Sequence, residues 1–354
     1  MVAPLKYMTT SHQKYVDVSY DPTLRRDKDI FIGANISDLA PGIVSRDSLL
    51  QLATDDPEHT KRRAIMSETL HALKWSMKRP ELFIPKGYNP DGNETQVIGL
   101  TGVNVFKWLF DLDLNFKHAE LLAEYNAITG PIALKLSTGH GSEDRIAEIY
   151  KVFQDLVRES TVGSKFMDAC KKQGMDPEER LHELVCVLLF AGYGGTSTFV
   201  ANTVRRIRAD PEGMVPLYKN DKMAFLKESA RINPPVGGVL YRTSKTEDVT
   251  LKGLLSGYRI TSAPGDLAVM WVSNANRDPE VFGGPNKDQA YADAFDPARE
   301  NLDKIVSWQN MFGDIKAGKA IRGCPGTLLA IQLCEKVVDY FIQPLEGPAS
   351  SQEL

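Results

Sequence analysis

The chain is poor in cysteine, nearly balanced in charge and free of long unbroken apolar runs. Four cysteines in 354 residues do not make a disulfide framework. None stands in a C-x-x-C pair, so the spacing of a structural zinc site is missing too. Free thiols in a reducing compartment are the simplest reading, and a cytoplasmic or other soluble intracellular location is expected. The formal net charge is −4, from 42 Lys+Arg against 46 Asp+Glu, which leaves no electrostatic footprint for nucleic acid. The short runs KRR at 61–63 and RRIR at 205–208 read as solvated helix faces. No segment approaches the ~20 apolar residues of a membrane span. No charged N-terminal region followed by an apolar stretch reads as a secretory signal. Internal repeats and low-complexity tracts are absent. What remains is a globular chain whose length admits one large domain, expected over residues 1–354.

Apolar residues recur at helical spacing over about 60–85, 103–127 and 145–208. The run DPEERLHELVCVLLFAGYGGTSTFVANTVRRIRADP predicts one long helix. Asp176 is its expected cap with Pro177 in the first turn, and Asp210-Pro211 marks its end. Between 188 and 200 it is apolar or small nearly all round, so it is expected to cross the core. GGVLYRTS, VTLKG and YRITSAPGDLAVMWV place β-branched and aromatic residues between Gly/Pro turns and predict short strands. The last helix follows Cys324 and runs to about Phe341. The expected fold class is mainly α, with a small β portion between about 236 and 272.

Cys170, Cys186 and Cys334 sit in apolar helical patterns and read as core. Cys324 differs. It lies on a turn, AGKAIRGCPG, with Arg322 two residues before it and Gly326 two after. Upstream, KESARINPP places Glu228 and Arg231 three apart on one helix face, and DAFDPARE supplies Arg299. Taken alone, a Glu–Arg pair at that spacing is worth only tenths of a kcal/mol on a surface. The ordered set of pair, third charge and cysteine turn is what a lone surface pair does not explain.

That order resembles the cytochrome P450 family. The resemblance spans roughly residues 15–345 and implies a P450 fold with a long central helix over a buried heme. It implies that Glu228, Arg231 and Arg299 form a buried structural triad. It makes Cys324 the axial thiolate ligand of heme b (iron protoporphyrin IX). The turn departs from the family pattern, with Ala317 where Phe is usual and Ala320 where a second Gly is usual. ATDDPEHTKRR resembles the segment entering the family's C helix, with His59 and Arg63 four apart on one face. These two, with Arg242 and Arg322, are implied to hydrogen-bond the heme propionates, where charge-assisted contacts are strong. The family's additional N-terminal portion is nearly absent, so an N-terminally short version is expected.

Monooxygenases of this family deliver protons to bound oxygen through an acid and an alcohol on the long helix. Here Ala191-Gly192-Tyr193-Gly194-Gly195-Thr196 puts Gly194 and Gly195 at those positions. Glycine supplies neither group, and each costs a helix about 1 kcal/mol relative to alanine. A substrate that already contains an O–O bond does not need that relay. FAGYGGT resembles the F-N-S/T-W-G-G helix of the plant-type fatty-acid hydroperoxide enzymes, which include allene oxide synthases, hydroperoxide lyases and epoxyalcohol synthases. VDVSYDPTLRRDKDIFIG places Phe31 on their active-site Phe, and WQNMFG places Asn310 near their asparagine. LLQLATDDPEHTKRR and ANTVRRI have counterparts as well. Ala191 stands where that helix carries an Asn contacting the hydroperoxide, so the contact is expected from Thr196, Asn310 or water. The resemblance implies O–O cleavage and rearrangement or dehydration of a lipid hydroperoxide, without O2 or a redox partner. The alternatives are a conventional monooxygenase or peroxygenase, and a heme-binding protein without turnover.

Overall fold

Capping side chains set most of the helix starts. Ser11 accepts from the Lys14 amide at the head of α1 (His12–Ser19), and Asp56 from Glu58 at α2 (Pro57–Thr69), whose first residue is proline. Asn93 does the same at α3 (Glu94–Phe110). Next come α4 (Phe116–Ala133) and α5 (Glu143–Glu159), and then α6 (Thr161–Lys172), capped by Ser160. Asp176 caps α7 (Pro177–Val187). Each such cap satisfies amides that have no partner within the helix and contributes about 1 kcal/mol. The computed structural model describes residues 5–9, 11–26, 49, 52–70, 73, 81–88, 93–133, 143–243, 247–250 and 259–343.

The long central helix starts and stops where the spacing predicts, but it is not uniform. α7 passes into a π turn over Leu188–Tyr193 and then into α8 (Gly194–Ala209). Three glycines within 192–195 make this the weakest helical stretch of the rod. A π turn inserts one extra residue and rotates everything after it. It is pinned by Tyr193, whose buried hydroxyl donates to the Leu122 carbonyl at 2.6 Å. A Cβ on Gly102 would come within 2.8 Å of the Tyr193 ring and 2.7 Å of Leu122, so α3, α4 and the π turn can meet only over a glycine. Asp210 ends the rod and caps α9 (Pro211–Asn220). α10 (Lys222–Ile232) and α11 (Thr327–Ile342) follow, with helical turns of three to five residues between them.

Other helix expectations shift at breaks that the chain announces. The run at 145–208 divides at the Ser160 cap and again before Pro177, where Gly174 takes a φ of +73°. The run at 103–127 begins earlier, at Glu94, and breaks at Asp111, which holds a left-handed φ of 57°. Of the stretch expected at 60–85, helix extends to Thr69, and residues 81–85 are irregular. One expectation is overturned in a different way. Pro177–Ala209 is long and apolar enough to cross a membrane by length and composition, with a window of mean hydropathy 1.7. That window is 67% buried inside the fold, where α8 packs against α3 and α11.

The β portion reaches further than the 236–272 expected. β1 (Leu5–Thr9) and β2 (Arg25–Arg26) join β3 (Gly238–Arg242) and β6 (Leu267–Trp271) in one sheet of order β1-β6-β3-β2. β1 runs parallel to β6, and β3 antiparallel to it. β4 (Glu247–Thr250) and β5 (Arg259–Ser262) form a separate antiparallel pair. The first strands escape a local reading because their partners lie more than two hundred residues away.

α1 is anchored to the C-terminal half by His12. Its main-chain amide donates to Asp278 at 2.7 Å, and Nε2 donates to the Lys304 carbonyl at 2.7 Å. Burial lowers the His12 pKa below the ordinary 6.5, opposed in part by the Lys304 carbonyl and Asp278. The unfolded chain therefore takes up this proton first as pH falls. The associated stability is present above about pH 6.5 and is lost below it. Melting temperature should fall between about pH 7.5 and 5.5, and His12→Gln should make that slope shallower. His118 and His182 are shifted the same way by burial and keep part of the slope. A wild-type melting temperature flat across that window would contradict this.

Candidate functional site

The loop carrying Cys324 is built by backbone geometry. The helical turn Phe312–Lys316 closes with the Gly318 amide on the Ile315 carbonyl at 3.1 Å and the Lys319 amide on the Asp314 carbonyl at 2.8 Å. This double closure needs a left-handed residue, and Gly318 supplies it with φ +69°. A Cβ on Gly323 would lie 2.7 Å from the Ile315 side chain and 3.0 Å from Ala320, so only glycine lets the loop press this close. The Cys324 amide donates to the Trp308 carbonyl at 3.0 Å, and the Arg322 amide to Asn310 Oδ1 at 2.7 Å. These two bonds lash the loop to a strap, residues 306–310. Gln309 sits at the bend of the strap with φ +81°, a strained backbone that the surroundings must hold.

Cys324 is partly exposed and sits just before α11. A helix N-terminus favours a thiolate. The other three cysteines are buried in the core, and burial raises their thiol pKa, that of Cys170 to about 11. Cys324 is the one thiol of the four that lines the cavity.

That cavity lies between α2, the π turn with the start of α8, the head of α11, the strap and the 235–239 segment. Its wall is largely apolar, with Met66, Val105, Leu109, Leu188, Phe199 and Leu329 among the residues lining it. The charged residues on the described wall are Arg63 and Arg322, with His59 beside them and no carboxylate. Arg63 donates to the Gly323 carbonyl next to the cysteine. Its pKa is lowered by burial and raised by the negative charge of Cys324. The Arg322 guanidinium donates to the Leu24 and Leu52 carbonyls, tying the loop to the N-terminal segment.

Behind the strap lies the ion cluster expected from the sequence. Arg231 donates to both Glu228 carboxylate oxygens, at 2.7 and 2.8 Å. Its other donors reach the carbonyls of Asn276 at 2.8 Å, Ala292 at 2.6 Å and Ala294 at 2.9 Å. Arg299 stands 3.7 Å from Glu228 and donates to the Phe282, Tyr291 and Ala294 carbonyls. Glu228 and Arg231 have no exposed surface, and Arg299 is buried too.

No protein-family profile matches the chain. Solved structures do. Cytochrome P450 CREJ superposes with a TM-score of 0.64 at 17% identity, covering 95% of this chain and 83% of that one. P450BioI, solved with an acyl carrier protein bearing hexadec-9Z-enoic acid, gives 0.62 at 17%, covering 97% and 86%. The LnmA hydroxylase of Streptomyces atroolivaceus gives 0.60 at 18%, covering 96% and 82%. The chain has the cytochrome P450 fold. By sequence it is similar to allene oxide synthase 1, chloroplastic, of Solanum lycopersicum, with 23% identity over 353 aligned positions and 84% of this chain covered. It spans 63% of the length of that relative.

The P450 fold implies a heme, and the residues present fit one. A thiol stands at the cavity wall ahead of a helix N-terminus. Apolar walls suit a flat porphyrin. His59, Arg63 and Arg322 supply positive or donor groups for its two propionates, and no described wall carboxylate would repel them. Among the described residues no cluster of three or more His, Cys, Asp and Glu offers a competing metal site.

Of the expected site residues, the cavity brings together His59, Arg63, Ala191, Gly195, Thr196, Arg322 and Cys324. Gly194 is not on the described wall. It sits where the π turn hands over to α8, and its carbonyl accepts from the Ser197 and Thr198 hydroxyls at 3.1 and 2.9 Å. Asn310 is corrected as a substrate contact: it is fully buried off the cavity, with its amide donating to Ser19 and accepting from Arg322. Arg242 ends β3, and its side chain lies outside the described residues, as does the whole of Phe31. The sequence reading missed Trp308, Ser307 and Leu329 on the wall, since only the strap and α11 geometry turn them inward.

Two outcomes follow from this geometry. A Cβ on Gly195 would meet nothing within 4 Å, so Gly195→Ala should stabilise the helix by about 1 kcal/mol, seen as a raised melting temperature. A lowered one would mean that the space is needed by the fold. Arg231→Ala strands a buried carboxylate, which typically costs about 3–5 kcal/mol, and should give little heme-loaded protein on purification. Normal heme content would mean that the pair is dispensable.

Proposed function

We propose that this chain is a heme-thiolate enzyme that cleaves the O–O bond of a fatty-acid hydroperoxide and converts it to an allene oxide or epoxyalcohol. The observation that carries the reading is the helix above the cavity. It presents Ala191, Gly192, Gly195 and Thr196, with open space at Gly195, and no acid to deliver a proton to dioxygen. The similarity to the tomato allene oxide synthase supports it.

When bound, heme with a thiolate ligand supplies electron density that favours O–O cleavage. The chain supplies the rest. Leu109, Leu188, Val236 and their apolar neighbours would hold an acyl chain and exclude water from radical carbon centres. The missing side chain at Gly195 leaves room for the peroxide-bearing carbon. Thr196 takes over the polar contact that Ala191 cannot make. Its hydroxyl has no protein partner among the described residues, whereas Ser197, Thr198 and Thr203 on the same helix bond their own backbone. By the resemblance, Phe31, which lies outside the described residues, would bias the fate of the carbon radical. The overall balance needs no external electrons: an allene oxide is the hydroperoxide less one water, and an epoxyalcohol is its isomer.

The test is anaerobic. Purified heme-loaded protein should consume a polyunsaturated fatty-acid hydroperoxide without NADPH or reductase, with products read by mass spectrometry. Thr196→Val should lower kcat/KM about tenfold, the value of one lost hydrogen bond, while Thr196→Ser retains most of it. The Thr196 hydroxyl also suits a monooxygenase. Turnover seen only with O2, NADPH and a reductase would make that the correct reading.

A further inference from the structure

The strap that holds the cysteine loop is itself held from behind. Asn276, fully buried, uses every polar group it has. Its amide N–H donates to the Val272 carbonyl at 2.9 Å, and its carbonyl accepts from Arg231 at 2.8 Å. Its side-chain Oδ1 accepts from the Val306 amide at 2.9 Å, and Nδ2 donates to Ser307 Oγ at 2.8 Å. Ser307 in turn donates to the Ala230 carbonyl at 2.7 Å, one residue before Arg231. The next residue, Trp308, receives the Cys324 amide at 3.0 Å. An unbroken path of short bonds thus runs from Glu228 and Arg231 through Asn276 to the strap and on to Cys324.

We propose that Asn276 is a positioning residue, coupling the buried ion pair to the strap and so fixing where the Cys324 sulfur stands. The inference rests on the reading of Cys324 as heme ligand. Only a carboxamide fits the place. Val306 brings a donor and needs an acceptor. Ser307 has already spent its proton on Ala230 and needs a donor. Aspartate has the same shape but offers two acceptors, so the Val306 bond survives and the Ser307 contact becomes oxygen against oxygen. Asn276 is fully buried and Ser307 nearly so, so such a contact is costly there. The strap then loses its rear support while Glu228 and Arg231 keep their bonds to one another.

The test compares heme-loaded wild type with Asn276→Asp, Asn276→Ala, Ser307→Ala and Val157→Ala. Val157 is a buried α5 residue away from the strap and serves as the stability control. The readout is the share of the ferrous–CO complex that absorbs at the thiolate-type Soret position, measured beside the melting temperature. Both Asn276 variants should lose that share several-fold, and Ser307→Ala should lose less. The double variant Asn276→Ala with Ser307→Ala should be no worse than Asn276→Ala alone, since both act through one contact. Val157→Ala should melt earlier and keep the wild-type share. If the Asn276 variants load no heme, Ser307→Ala decides. Shares in the Asn276 and Ser307 variants no lower than in the control overturn the proposal. A wild type without the thiolate-type band overturns instead the ligand reading beneath it.

Discussion

A buried arginine with each donor occupied is the constraint on which the rest of the structure depends. Arg231 reaches one carboxylate and three carbonyls, one from Asn276 and two from the 292–294 stretch, all without solvent. A buried ion pair is weak evidence for stability as such, because desolvation offsets most of its attraction. What it supplies is geometry. The carbonyls of Asn276, Ala292 and Ala294 belong to, or lie just past, helical turns of only four or five residues, too short to order the segments by themselves. A guanidinium fixes their relative positions because its fork is planar and its donors cannot be satisfied any other way. The Asp296 amide adds a bond to Glu228 at 2.9 Å and closes the cluster.

The two faces of the cavity are made by opposite means. The cysteine side is over-determined: a double helix closure, a close-packed Gly323, two bonds to the strap and the ion cluster behind it. The helix side is under-filled. Glycines at 192, 194 and 195 weaken the helix where the π turn over Leu188–Tyr193 hands over to α8. Stability given up at such a place usually marks function, since a fold gains nothing from it. Under the proposed function, a rigid cysteine loop opposite an open wall would suit a substrate that brings its own O–O bond.

Much of this was legible locally. Glu228 and Arg231 lie at helical spacing, so their proximity needed no tertiary information, and Asp176-Pro177 announced the start of the central helix. Cys324 stood out because its turn differs from the apolar helices that hold the other cysteines. The misreadings have a common cause. Asn310 follows three strap residues, Ser307, Trp308 and Gln309, that line the cavity, but past the bend at Gln309 its side chain is buried against Ser19 and the Arg322 amide. Gly194 and Gly195 are likewise neighbours that the helix separates onto the described wall and off it.

By itself the sequence determined the helical class, the caps, the charge pair and the singular cysteine, because each depends on neighbours within a few residues. Only the tertiary structure decided which of the charged side chains meet. It also decided that two strands from the first thirty residues join the late sheet, and that Asn276 stands between the ion pair and the strap. Those contacts join positions tens to hundreds of residues apart. No periodicity records them, since they arise where buried polar groups must find partners once the apolar faces have closed.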